Sequence, residues 1–147
     1  MTLPTAEPVA NGVPPTLAPA ARADDTGRSR VLLVEDHGDT ARMLAKLLGH
    51  SGFAVTMASS VAMALDVAAA GAGTFDVVVS DVGLPDGTGY ELMGKLRDLY
   101  SLSGIALTGY GMEDDLRRSR DAGFVEHLTK PVDLRRLEEA IRRVAAR

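Results

Sequence analysis

The chain has 147 residues, 46% hydrophobic and 24% charged, with a formal net charge of −4 and neither cysteine nor tryptophan. Such a length suits one domain with a sizeable core, and the missing cysteine excludes a disulfide framework, a thiol nucleophile and a zinc–cysteine site. Mild acidity argues against nucleic acid as a direct partner and against a polybasic membrane anchor, and no apolar run approaches the ~18 residues of a membrane insertion.

Five of the seven prolines, Pro4, Pro8, Pro14, Pro15 and Pro19, crowd the start of the chain. Proline fixes φ and removes an amide donor, so residues 1–29 are predicted to be a disordered Pro/Ala-rich tail. The tail has no basic start and no apolar block, so it does not read as a secretory signal. From Arg30 the pattern alternates. Val31-Leu32-Leu33-Val34 is a short apolar run that reads as a strand buried on both faces. Residues 38–50 follow as a helix, with Met43, Leu44, Leu47 and Leu48 on one stripe. Gly52 opens a second strand over Phe53–Met57. An Ala-rich helix over 60–70 is stopped near Gly71 and Gly73. Phe75–Ser80 is the third strand and the most β-branched segment. A loop with Pro85, Gly87 and Gly89 leads into a helix over about 88–99, with Thr88 as its cap. Ile105–Thr108 is the fourth strand, 113–122 the fourth helix and Phe124–Leu128 the fifth strand. Leu134, Leu137, Ile141 and Val144 mark a closing helix.

Five strands alternating with five helices predict an α/β fold. The expected form is a doubly wound, flavodoxin-like parallel sheet of order 2-1-3-4-5 with helices on both faces, occupying residues 30–147. In such sheets the functional crevice lies beyond the carboxyl ends of the strands. Those ends carry Glu35-Asp36, Ser80-Asp81, Thr108 and Thr129-Lys130-Pro131. Strands one and three are neighbours in the proposed order, so three carboxylates converge. Clustered carboxylates resist ionising together unless a pKa rises or a hard cation binds, and oxygen ligands with open water positions suit Mg²⁺. Lys130 and Thr108 add an ammonium and a hydroxyl. This set is equipped to place a phosphoryl group on Asp81, with Mg²⁺ and Lys130 balancing its charge.

The segments VLLVEDHGDT (31–40), VVVSDVGLPDGTGYEL (77–92), IALTGYG (105–111) and HLTKPVDL (127–134) resemble the receiver (response-regulator) domain of bacterial two-component signalling. By that resemblance Asp81 is the phosphoacceptor, Asp36 the direct metal ligand and Glu35 a ligand through water. The carbonyl of Gly83 would be the third protein ligand. Thr108 would be the switch hydroxyl and Lys130 the phosphoryl-binding lysine, and the bond before Pro131 is expected to be cis. The resemblance puts the kinase-docking surface on the first helix and the loop after the fifth strand, here Thr40, Met43, Leu44 and Pro131.

Two positions depart from the family pattern. His127 stands where the family has a Tyr or Phe rotamer switch; it is either a packed strand-end residue or a switch that also titrates near neutrality. Gly83 offers no side chain to influence the hydrolytic water. With bulky Tyr110 able to shield the phosphoryl group, slow self-dephosphorylation is expected. His37, beside Asp36, offers a nitrogen donor, but Mg²⁺ prefers oxygen, so a loop or first-turn role is the simpler expectation. Arg135, Arg136, Arg142 and Arg143 interleave with Glu138 and Glu139 on the last helix, which reads as a solvated face.

The expectation is therefore a stand-alone cytoplasmic receiver, a signalling module rather than an ordinary enzyme. It would accept a phosphoryl group from a histidine kinase or histidine phosphotransfer protein and signal to a protein effector. The motif style of IALTGYG and HLTKPVDL resembles receivers of hybrid sensor kinases, so a relay intermediate or phosphate sink is the alternative. A flavodoxin-like cofactor-binding protein would need an anion-binding loop where Glu35-Asp36 stands. An aspartyl phosphatase of the haloacid-dehalogenase type would need a second acid where Gly83 stands.

Overall fold

A computed structural model of the chain describes residues 28–71, 74–109 and 116–146. Nearly all of the expected tail, Tyr110 and the start of the expected fourth helix lie outside the described residues. In chain order the elements are β1 (Arg30–Val34), α1 (Gly38–His50), β2 (Ala54–Ala58), α2 (Val61–Gly71) and β3 (Val77–Asp81). They continue with β4 (Gly83–Leu84), β5 (Gly87–Thr88), α3 (Gly89–Tyr100), β6 (Gly104–Thr108), α4 (Leu116–Ala122), β7 (Phe124–Thr129) and α5 (Leu134–Ala145).

The main sheet has five parallel strands in the order β2-β1-β3-β6-β7. With the small β4–β5 hairpin set aside, this is the predicted 2-1-3-4-5 order. Alternate residues of each strand enter two different cores. Leu32, Val34, Val78 and Ala106 pack with α2, α3 and Phe124 on one face. Val31, Leu33, Val77, Val79, Ile105 and Leu107 pack with α1 and α5 on the other. Apolar side chains at every position of Val31–Val34 in β1 and Ile105–Leu107 in β6 are the consequence of covering both faces.

The differences from expectation are local. The apolar stripe of α1 is Ala41, Leu44 and Leu48, while Met43 and Leu47 face outward. At about 100° per residue, only one member of each adjacent pair can point at the sheet. Phe53 and Phe75 precede their strands but are buried, so their side chains belong to the core without joining the ladder.

The sequence reading missed the antiparallel hairpin, in which Gly83 pairs with Thr88 and Leu84 with Gly87. Its signal was present, since Leu84-Pro85-Asp86-Gly87 has proline and glycine at the turn positions that favour them. The hairpin is tied down twice. Asp86 accepts the amides of Val61 and Ala62 at 2.8 and 3.0 Å, capping α2 from a distant turn. Thr88 and Glu91 form a capping box at the start of α3, as expected of Thr88.

Candidate functional site

The register brings the strand ends together. Val34 pairs with Ser80, Asp81 with Leu107, and Thr108 with Thr129. The residues that follow these pairs form one rim at the topological switch between β1 and β3. Glu35, Asp36, His37 and Asp81 each offer a donor atom, and these atoms lie within 4.8 Å of one another.

Lys130 reaches into this cluster from the end of β7. Its Nζ donates to Asp81 Oδ2 at 2.7 Å and to Glu35 Oε1 at 3.2 Å. The peptide bond between Lys130 and Pro131 is cis, as the resemblance implied. The Glu35 side chain is completely buried. Burial pushes its carboxyl up, but bonds from His37 and the charge of Lys130 outweigh that and hold it below the ordinary range. Asp81 goes the other way. Burial raises it and the Glu35 charge adds to the rise, against the pull of Lys130 and of the Gly83 amide. Burial depresses Lys130, yet Asp81 and Glu35 more than compensate and keep it firmly protonated.

Gly83 lies on β4 with open space where a side chain would project, and its amide bonds to Asp81. Gly89 explains how the hairpin can sit so close. A Cβ there would overlap the carbonyl of Asp81. Thr108 is buried, and its hydroxyl is 3.5 Å from the carbonyl of Leu128, so it faces β7 rather than Asp81. His127 is half-buried on β7. Burial and the nearby charge of Arg120 lower its pKa, and its Nε2 has no hydrogen-bond partner among the described residues.

The four residues expected to dock a partner fall on one groove. Thr40, Met43, Leu44, Pro131 and Val132 line it together with Glu35, His37 and Lys130, enclosing about 440 Å³. Met43 is 54% exposed and available to a partner, whereas Leu44 is mostly committed to the core. On α5, Arg143 makes two bonds to Glu126 at 2.7 and 2.8 Å, and Arg142 lies over Phe53. Those cations serve the fold's own surface, in keeping with a solvated face.

The family pattern "Response regulator receiver domain" matches residues 31–142. The chain belongs to the receiver-domain family of response regulators. An uncharacterised 14.6 kDa protein from the sodA1 3′ region of Leptolyngbya boryana is 38% identical over 106 residues, 70% of this chain and 79% of that protein. Sensor histidine kinase RcsC of Salmonella typhi is 32% identical over 120 residues, 81% of this chain. This chain spans only 12% of that kinase. Among solved structures, a response regulator receiver domain protein from Clostridium thermocellum superposes with a TM-score of 0.76 at 26% identity. The match covers 80% of this chain and 94% of that one. The non-phosphorylated HemR receiver domain from Leptospira biflexa gives 0.72 at 28% identity, covering 82% and 96%. A receiver is a signalling module of two-component systems, and its acidic cluster is of a kind compatible with a divalent cation. No helix among the described residues is long and apolar enough to cross a membrane.

Proposed function

We propose that this receiver accepts a phosphoryl group on Asp81 from a phosphohistidine of a histidine kinase or histidine phosphotransfer protein. It then signals in the cytoplasm through altered protein contacts. The observation that carries this reading is the shared ammonium of Lys130, which joins Asp81 to buried Glu35 at the sheet's switch point. An Asp81 oxygen attacks phosphorus, the P–N bond of the phosphohistidine breaks, and the leaving imidazole takes its proton from solvent.

The donor set fits a hard divalent cation. Asp36 and Asp81 would hold it directly, Glu35 through water, and Gly83 would offer its carbonyl. Bound there, Mg²⁺ would neutralise charge on the transferring group. Lys130 would keep one phosphoryl oxygen, and Thr108 would leave the Leu128 carbonyl to donate to another. That movement, together with His127 on the same strand pair, would couple the site to the surface around β7. Without a side chain at Gly83 to guide water, the aspartyl phosphate would be long-lived, and a lifetime of seconds would contradict this.

The test is incubation with acetyl phosphate and Mg²⁺, followed by intact mass measurement. The wild type should gain one phosphoryl group and Asp81→Asn none; an unmodified wild type would remove the reading. The match to RcsC favours a second reading, a relay intermediate or phosphate sink serving a hybrid histidine kinase. Rapid return of the phosphoryl group to a phosphotransfer protein would support it over direct output to an effector.

A further inference from the structure

The hairpin of β4 and β5 has only two residue pairs, Gly83 with Thr88 and Leu84 with Gly87. A two-stranded ladder that short does not hold itself in water, so its position is set by what anchors it. One anchor is on α3. There the amide of Gly89 donates to the carbonyl of Val82 at 2.7 Å, and Thr88 shares its capping box with Glu91. The other anchor is on α2. Asp86, at the hairpin tip, accepts the amides of Val61 and Ala62 on its two carboxylate oxygens, and a Cβ at Gly87 would stand 3.3 Å from the Val61 side chain. The first turn of α2 has no acidic residue of its own, so the charge its N-terminus favours comes from a residue 25 positions beyond Val61. Those two amides hold the Asp86 carboxyl below its ordinary value although it is exposed. The rest of the turn is capped locally, since Ser60 accepts the amide of Met63 on its hydroxyl at 3.1 Å and that of Ala64 on its carbonyl.

At the base of the hairpin, Gly83 gives its amide to the Asp81 carboxylate, which Lys130 also binds. Two donors from different elements fix the rotation of that carboxylate. We propose that Asp86 is a positioning residue for phosphoryl transfer: by anchoring the hairpin tip on α2, it keeps the Gly83 amide on Asp81 and the acceptor oxygen in one orientation. This rests on the reading of Asp81 as the phosphoacceptor. The opposing explanation is that Asp86 only caps α2, and that Thr88 alone keeps Gly83 in place.

The rate of phosphorylation of the full chain by acetyl phosphate at saturating Mg²⁺, followed by intact mass, separates the two. Small misplacements in a reacting geometry commonly cost up to about 100-fold, so Asp86→Ala should react about tenfold more slowly than the wild type. Asp86→Asn keeps one accepting oxygen and should fall between them. Ser60→Ala removes a cap from the same turn of α2 without touching the hairpin, and should stay within about twofold of the wild-type rate. Far-ultraviolet circular dichroism checks that each variant is folded. If Asp86→Ala does not fold, Asp86→Asn decides: slower than Ser60→Ala supports the proposal, and an equal rate overturns it. Asp86→Ala at the wild-type rate, or Ser60→Ala as slow as Asp86→Ala, also overturns it and leaves the phosphoacceptor standing. A wild type that gains no phosphoryl group removes the phosphoacceptor itself, and the proposal falls with it.

Discussion

Replacing Lys130 by methionine keeps most of the side-chain volume and removes the ammonium that Asp81 and Glu35 share. With an effective dielectric constant of about 20, its attraction is about 6 kcal/mol to Asp81 at 2.7 Å and about 5 kcal/mol to Glu35 at 3.2 Å. The donor oxygens of the two carboxylates lie within 4.8 Å, so they repel by at least about 3.5 kcal/mol on the same scale. The attractions are gross values. Desolvation of the ammonium, which is 31% exposed, takes back much of them. The repulsion remains in the variant, which can relieve it by protonating one carboxyl. At pH 7 that costs about 3.4 kcal/mol for a group of ordinary value 4.5, at 1.36 kcal/mol per unit. The two figures agree and set a ceiling, so metal-free Lys130→Met should be destabilised at pH 7 by up to about 3.4 kcal/mol.

The pH dependence gives the sharper test. In the wild type Glu35 is held low, so its contribution is complete above its ordinary value and is lost as pH falls through its folded value. The contribution of Lys130, held high, is complete below 10.5 and is lost only as pH rises through its folded value. In the variant both carboxyls move up, and a raised carboxyl gains folded stability as pH falls. The wild-type advantage therefore shrinks on acidification. Urea unfolding followed by far-ultraviolet circular dichroism, with chelator, at pH 7 and pH 5 measures it. A difference below about 1 kcal/mol at pH 7, or one that is unchanged at pH 5, would refute the shared-ammonium argument.

Three further outcomes are expected. Gly89→Ala places a Cβ against the Asp81 carbonyl and 3.1 Å from Val82 Cα, where only backbone could yield. It should cost about 1–3 kcal/mol in urea unfolding and slow phosphorylation by acetyl phosphate. Thr88→Ala removes the side-chain half of the capping box and should cost about 1 kcal/mol, with faster amide exchange confined to the first turn of α3. His127→Phe should preserve phosphorylation and change partner binding. Because His127 is held below 6.5, its neutral form supports the fold above that pH, and the support is lost as pH falls through the folded value. The variant should lack that step in a stability–pH profile, and an identical profile would count against the assignment.

The doubly wound sheet was legible because a parallel strand covered on both faces must be apolar through its buried run, as Val31–Val34 of β1 and most of β6 are. The convergence of Glu35, Asp36, Asp81 and Lys130 was legible at the same level, since all four stand at strand ends. Direction and contact were harder to read. Nothing in the order of residues says that the Thr108 hydroxyl faces Leu128, that Glu35 is completely buried, or that Asp86 crosses from a turn to cap α2. These depend on the register between strands far apart in the chain. The outward turn of Met43 is different, because it follows from helical geometry once Leu44 is known to point inward.

The burial of Glu35 constrains how the site can switch. A buried carboxylate needs lasting compensation, and among the described residues it has two sources, Lys130 on one oxygen and His37 on the other. Lys130 is shared with Asp81, so a phosphoryl group there would draw the ammonium toward itself and away from Glu35. Among the described residues, the remaining partner of Glu35 would then be His37, at the first turn of α1 and on the rim of the groove lined by Thr40, Met43 and Pro131. Phosphorylation would thus shift charge toward the surface where a kinase or phosphotransfer helix would rest. Thr108 and His127 would carry the change toward β7, while Glu35 and His37 would carry it toward α1. Comparing amide exchange of residues 37–44 before and after acetyl phosphate treatment, in wild type and His37→Ala, tests this second route. Equal protection changes in both proteins would leave β7 as the sole path.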